Sequence, residues 1–144
     1  MNKNTKKNLS NEVFCYPDTL LNRFIPQAWQ IFIMKSFISN YKKKIFFYTG
    51  ENHKTYKSMG LFKKKIYEKN KLHGFVFFSF LQFCYDNKAN LNLINLCVKK
   101  NYYIYLAREK VLINKANFAS KKKDLIFFKQ SNKKLIDIIL NSFS

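Results

Sequence analysis

The sequence predicts an α/β fold, a small doubly wound, mainly parallel sheet of four or five strands with helices on both faces. Three observations carry that expectation. Short apolar runs recur along the chain without alternating, and stretches with helical spacing separate them. A strand that is apolar at every position must be covered on both faces, which parallel strands wrapped by right-handed crossovers achieve. The 144 residues, 47% of them hydrophobic, suffice for one domain that buries about two-thirds of its unfolded surface.

Residues 1–11 read as a flexible basic tail and residues 12–144 as a single α/β domain. "EVFCY" (12–16) is a first strand, closed by Pro17 and Asp18. "IPQAWQIFIMKSFISNY" (25–41) places Ala28, Ile31, Phe32, Met34, Phe37 and Ile38 at helical spacing, with Trp29 as core packing and Pro26 in the first turn. "KKIFFYTG" (43–50) is a second buried strand. "YKSMGLFKKKIYEKNKLHG" (56–74) is an amphipathic helix with Leu61, Phe62, Ile66 and Tyr67 inward, although Gly60 blurs its start. "GFVFFSF" (74–80) is a third strand, and its phenylalanines put it at the centre of the sheet. A short helix within 87–101 leads to a fourth strand, "YYIYLA" (102–107). Leu125 to Phe128 fit either a fifth strand or the inner face of a helix. "NKKLIDIILNSF" (132–143) closes the chain as a helix with Leu135, Ile136, Ile139 and Leu140 on one side.

Ligands of such sheets sit beyond the carboxyl ends of the strands. Following each strand to its end collects Tyr16 and Asp18, Thr49 and Glu51, Ser79 and Gln82, and Arg108 and Glu109. Glu51 and Glu109 are the candidate catalytic pair, able to act as general acid and base if burial separates their pKa values. Ser79, Gln82 and Arg108 are candidate ligand contacts. Polar residues also follow strands simply because loops are wet, and Ser79 would need a partner in either case.

Other signatures are missing from the sequence. No Walker loop or GxGxxG occurs, and three glycines cannot build such a phosphate cradle, so no cofactor is expected. His53 and His73 share no ligand spacing with the cysteines; they read as solvent-facing, and no metal is expected. Cys15, Cys84 and Cys97 lack CxxC spacing and read as reduced thiols of a cytoplasmic protein. Cys15, at a strand end, reads as a buried inert thiol rather than a nucleophile. No apolar run reaches the ~18 residues of a membrane span.

The net charge of +19 invites a nucleic-acid partner, because phosphates attract clustered cations. Yet the cations are 25 Lys and only two Arg, and base-edge reading leans on the guanidinium fork. Lys, Asn, Ile and Phe are enriched together, as AT-rich coding produces. The triplets 42–44, 63–65 and 121–123 fall on different elements and read as scattered solvation.

The motifs in "IPQAWQ…FISNYKKKIFFYTGE…GFVFFSFLQF…YYIYLAREKVLI" resemble the sporadic carbohydrate cluster proteins of bacteria. The resemblance covers residues 13–115 and rests on the order and spacing of short motifs. These are Ile25-Pro26-Gln27 opening the first helix, Glu51 after the second strand, Phe78-Ser79-Phe80-Leu81-Gln82, and Glu109 to Ile113. It adds Gln27 to the ligand contacts and implies a role in surface-polysaccharide biosynthesis, with no established reaction. The implied partners are a nucleotide sugar or glycan precursor, and a protein from the same locus. Members open with a Gly-Tyr strand followed by Ser-Arg, whereas this chain reads "VFCYPDT", so a divergent or inactive copy is one expectation. The element order is also similar to the catalytic domain of serine recombinases. That chemistry does not transfer, because no serine follows Val13–Tyr16 and only two arginines are present. A basic nucleic-acid-binding module of that fold stands as the alternative.

Overall fold

Strand β1 (Glu12–Tyr16) lies between β2 (Lys44–Tyr48) and β3 (Gly74–Phe77), parallel to both, in a computed structural model that describes residues 10–68, 71–86 and 88–142. β4 (Tyr103–Leu106) runs parallel to β3, and β5 (Val111–Ile113) closes the far edge antiparallel to β4. The order is therefore β2-β1-β3-β4-β5. It reverses direction between β1 and β3, which makes their carboxyl ends the switch point where such sheets open a crevice. Five helices accompany the strands: α1 (Gln27–Ser39), α2 (Gly60–Tyr67), α3 (Leu91–Lys99), α4 (Phe118–Ser131) and α5 (Lys133–Asn141).

Neighbouring residues of a strand point to opposite faces. Cys15 Sγ lies 3.8 Å from Met34 Sδ on α1, whereas the ring of the next residue, Tyr16, meets Phe62 of α2 at 5.6 Å. Helices thus cover both faces, as the sequence predicts. β3 is the centre of the core. Phe62 stands edge-on to both Phe75 and Phe77 at 4.9 Å, and Tyr16 stacks on Phe77 at 4.9 Å. Such pairs contribute roughly 0.5–1.5 kcal/mol each beyond their burial. Gly74 admits no substitute here, since a Cβ would stand 2.0 Å from the Tyr103 carbonyl oxygen.

Several expectations are corrected. β2 is not buried: it is the edge strand, and Phe46, Phe47 and Tyr48 are exposed because no strand lies beyond it. A bulge skips Phe46, so that Val13 pairs with Ile45 and Phe14 with Phe47. Of the two readings of Leu125–Phe128 the helical one holds, within α4 and with Leu125 buried, and the fifth strand is Val111–Ile113 instead. Lys110 adopts φ 58° and turns β4 back on itself within a short hairpin. The second predicted helix contracts to eight residues, and Tyr67 points to solvent instead of inward. On α1 only Gln30, Met34, Phe37 and Ile38 are buried. Ala28, Trp29 and Phe32, expected inside, are exposed, because the helix is apolar around its whole circumference and the sheet covers one side.

His73 is not solvent-facing. It is half-buried, stacks on Tyr103 at 4.1 Å, and its Nε2 lies 2.7 Å from the Tyr105 hydroxyl. Burial, assisted by the Lys43 charge, lowers its pKa to about 4. His53 is exposed. The three lysine triplets sit at the start of β2, in α2 and in α4. Residues 1–9 of the expected tail lie outside the described residues, and among those described no helix is long and apolar enough to cross a membrane.

Candidate functional site

Three hydrogen-bonded groups form where the strands end. The first centres on Glu51. Its Oε2 accepts from the Tyr16 hydroxyl at 2.9 Å and from the Phe62 amide at 2.7 Å, while Oε1 accepts from the Leu61 amide at 3.0 Å. A carboxylate at a helix N-terminus satisfies orphan amides and meets the positive end of the dipole. That explains why α2 starts at Gly60. Burial, and then the Glu51 charge, hold the Tyr16 phenol well above its ordinary pKa.

The second group centres on Asp18, whose Oδ1 accepts from the Leu20 and Leu21 amides at 2.9 and 3.0 Å. Its Oδ2 accepts from the Tyr85 hydroxyl at 2.5 Å. The Gln30 amide clamps the backbone beside it: Oε1 accepts from Asp18 N at 2.7 Å, and Nε2 donates to Asp18 O and Ile25 O at 3.1 and 3.0 Å. Burial raises the Asp18 pKa despite these donors.

Ser79 begins the third group, as the cap of a 3₁₀ turn over Phe80–Phe83. Its Oγ accepts from Leu81 N, and Gln82 Oε1 accepts from Ser79 N, both at 3.1 Å. This reciprocal capping box ends the apolar run of β3. Gln82 Nε2 then reaches across to donate to Tyr16 O at 3.0 Å, tying β3 to β1 at the switch point. Ser79 Oγ donates to Glu109 Oε2 at 2.7 Å, and Glu109 Oε1 accepts from Phe80 N at 3.1 Å. Arg108 lies over this pair, with Nη1 3.4 Å from Glu109 Oε2 and 3.5 Å from Ser79 Oγ, and its Nη2 donates to Asn132 Oδ1 at 3.0 Å.

The rim therefore gathers Tyr16, Asp18, Glu51, Ser79, Gln82, Arg108 and Glu109, and the Thr49 amide donates to Cys15 O at 2.8 Å beside it. Gln27 stays outside these bonds. It is exposed in the first turn of α1, while Gln30, one turn later, takes the buried position. Gln30 and Tyr85 are the residues that sequence reasoning missed. A signal for Gln30 existed, since it shares helical spacing with Met34, Phe37 and Ile38 on the buried side of α1.

The crevice between these groups, walled by Pro17, Asp18, Glu51, Tyr56, Gln82 and Tyr85, is a cavity of about 10 Å³. That is room for about one water molecule. Ser79 and Glu109 have the hydrogen bond of a nucleophile and its base, yet Ser79 is fully buried and the Glu109 side chain only 4% exposed. Solvent-borne substrate does not reach that hydroxyl, and its bonds in this conformation set the turn. Glu51 and Glu109 bind different partners: Glu51 holds Tyr16 and the start of α2, and Glu109 holds Ser79 and Phe80. Cys15 is held as a thiol, its pKa pushed up to about 12 by burial. The outward group is Arg108, whose side chain is 36% exposed.

No family model, curated protein or solved structure matches the chain. Its function is read from its own residues. At the opposite end of the sheet a second cavity, of about 630 Å³, is lined by Lys71, His73, Lys100, Asn101, Tyr103 and Lys115 among others, with no carboxylate among the described residues of its walls. The two ends of the sheet thus differ in kind: carboxylates in a filled crevice at one, cations around open space at the other.

Proposed function

We propose that this chain is a cytosolic accessory protein or enzyme of bacterial surface-polysaccharide biosynthesis that holds a small anionic, sugar-type ligand at the carboxyl ends of its strands. The observation that carries this reading is Arg108. A guanidinium has five N–H donors, and the bonds to Ser79, Glu109 and Asn132 engage at most three of them. Glu109 and Ser79 hold the side chain over the rim from below, which orients the remaining donors for a phosphate or carboxylate. The resemblance in motif order to sporadic carbohydrate cluster proteins supplies the process. The filled crevice limits direct contact to the outer rim unless a ligand displaces side chains.

Thermal denaturation against a panel of nucleotide sugars tests this reading. A ligand at 100 times its dissociation constant stabilises by roughly 2.7 kcal/mol, and Arg108→Ala is expected to abolish that gain. If no member of the panel raises the midpoint of the native protein, the reading fails.

One observation favours a second reading, a basic module for nucleic acid: the lysine-lined cavity at the amino ends of the strands. Against it stands the composition of the cations, 25 Lys and only two Arg, since base-edge reading leans on the guanidinium fork. Counterion release makes its signature a steep fall of affinity with salt, and absence of DNA binding at low salt removes it.

A further inference from the structure

The stretch from Thr19 to Gly50 contains no Asp or Glu and five cations: Arg23, Lys35, Lys42, Lys43 and Lys44. It also supplies eight of the twelve large apolar side chains that stand exposed among the described residues. On α1 these are Trp29, 68% exposed, Phe32, 71% exposed, and Ile33. Positions 29, 32, 33 and 36 are neighbours on a helix, so the three side chains form one stripe that continues into Ser36. Phe24 and Arg23 precede the helix, and Lys35 lies one turn beyond Phe32.

Isolated exposed apolar residues need no explanation, but a contiguous aromatic stripe on a helix marks an interaction surface. The choice of occupant follows from charge. Every ionisable side chain from Arg23 to Lys44 that is charged at neutral pH is a cation, and the whole chain carries +19, so a second copy would bring like charges together. A surface that is both apolar at shallow depth and negatively charged satisfies both features. We propose that the exposed face of α1 docks on an anionic lipid bilayer, with Trp29, Phe32 and Ile33 entering the headgroup boundary and Lys35 and the 42–44 run meeting lipid phosphates. Indole and phenyl rings favour that boundary, and lysines near it add electrostatic attraction. This surface is independent of Arg108 and of any ligand at the rim, so neither proposal depends on the other.

Trp29 is the only tryptophan, so emission excited selectively from tryptophan, beyond the absorption of the nine tyrosines, reports on this face alone. The full chain is mixed with phosphatidylglycerol/phosphatidylcholine vesicles at low salt and with vesicles of phosphatidylcholine alone. The expected result is a blue shift of Trp29 emission and co-flotation with the anionic vesicles only. Brominated lipid should quench the emission, which places the indole within the bilayer without any substitution. Phe32→Ser with Ile33→Ser should weaken partitioning about tenfold or more, with the urea midpoint unchanged because both side chains are exposed. Lys35→Gln should weaken it about fivefold. No flotation with the anionic vesicles overturns the proposal, as does equal binding to neutral ones. Full binding by the double variant overturns it in favour of adsorption through lysines elsewhere. A blue shift that appears without lipid and grows with protein concentration overturns it in favour of self-association.

Discussion

β2 and β3 are written in nearly the same alphabet, "KIFFY" against "GFVF", and they meet opposite fates. Every residue of β3 is buried, with β1 and β4 on its flanks and helices above and below. β2 is flanked only by β1 and exposes four of its five residues. The difference teaches that the position of a strand in the sheet, rather than its hydrophobicity, decides how much its side chains are worth. A bulge at Phe46 and lysines at the start of β2 are also devices by which an open edge resists pairing with other chains.

Substitution can break that comparison from either side. The largest effect is expected at Gly74→Ala, where the new methyl meets the Tyr103 carbonyl at 2.0 Å. Loss of the cooperative unfolding transition is expected there. Gly50→Ala, just past β2, should cost far less, since its nearest contact is a side-chain methyl, that of Thr19, at 3.3 Å. Next comes Phe77→Ala, which should lower stability in urea by about 3–5 kcal/mol, against less than about 1 kcal/mol for Phe47→Ala at the edge.

A smaller loss is expected at the rim. Glu51→Ala leaves two helix amides and the Tyr16 hydroxyl without their acceptor, and a loss of roughly 2–3 kcal/mol is expected by the same measurement.

The pH dependence of stability should show the gentlest effects, with two opposite signs. His73, lowered to about 4 from 6.5, stays neutral in the folded chain while the unfolded chain takes up a proton. Stability therefore falls as pH drops from about 6.5 to about 4, and His73→Gln should flatten that limb. Asp18 acts in reverse. Its raised pKa keeps a proton on the folded chain that the unfolded chain loses near 3.8, so its contribution declines as pH rises through that window. Asp18→Asn should remove the decline. Equal slopes in the parent and both variants would show that neither group is perturbed as described.

β1, β3 and β4 were legible in the sequence because each is an apolar run too short for a helix and bounded by polar residues. β2 was legible as a strand but not as an edge, since no local pattern encodes the absence of a neighbour. β5, at three residues, is shorter than any periodicity can resolve, and its turn depends on a left-handed Lys110 rather than a glycine. The rim residues were found by following strands to their ends. What could not be read was that their partners would be each other: Gln82 meets Tyr16 O across 66 positions of sequence. Trp29 and Phe32 were misplaced because a helix apolar on all sides does not announce which side the sheet will cover.

The capping box at Ser79 and Gln82 has a consequence for how this chain can change. In most sheets of this kind the loops at the strand ends vary freely while the framework persists. Here the amide and hydroxyl at the end of β3 are buried beneath the rim, where they fasten β3 to β1 and to Glu109. A lineage exploring new ligands at this rim would loosen its own sheet with each trial, so innovation should have accumulated in residues such as Arg108 that lean on the rim without holding it together.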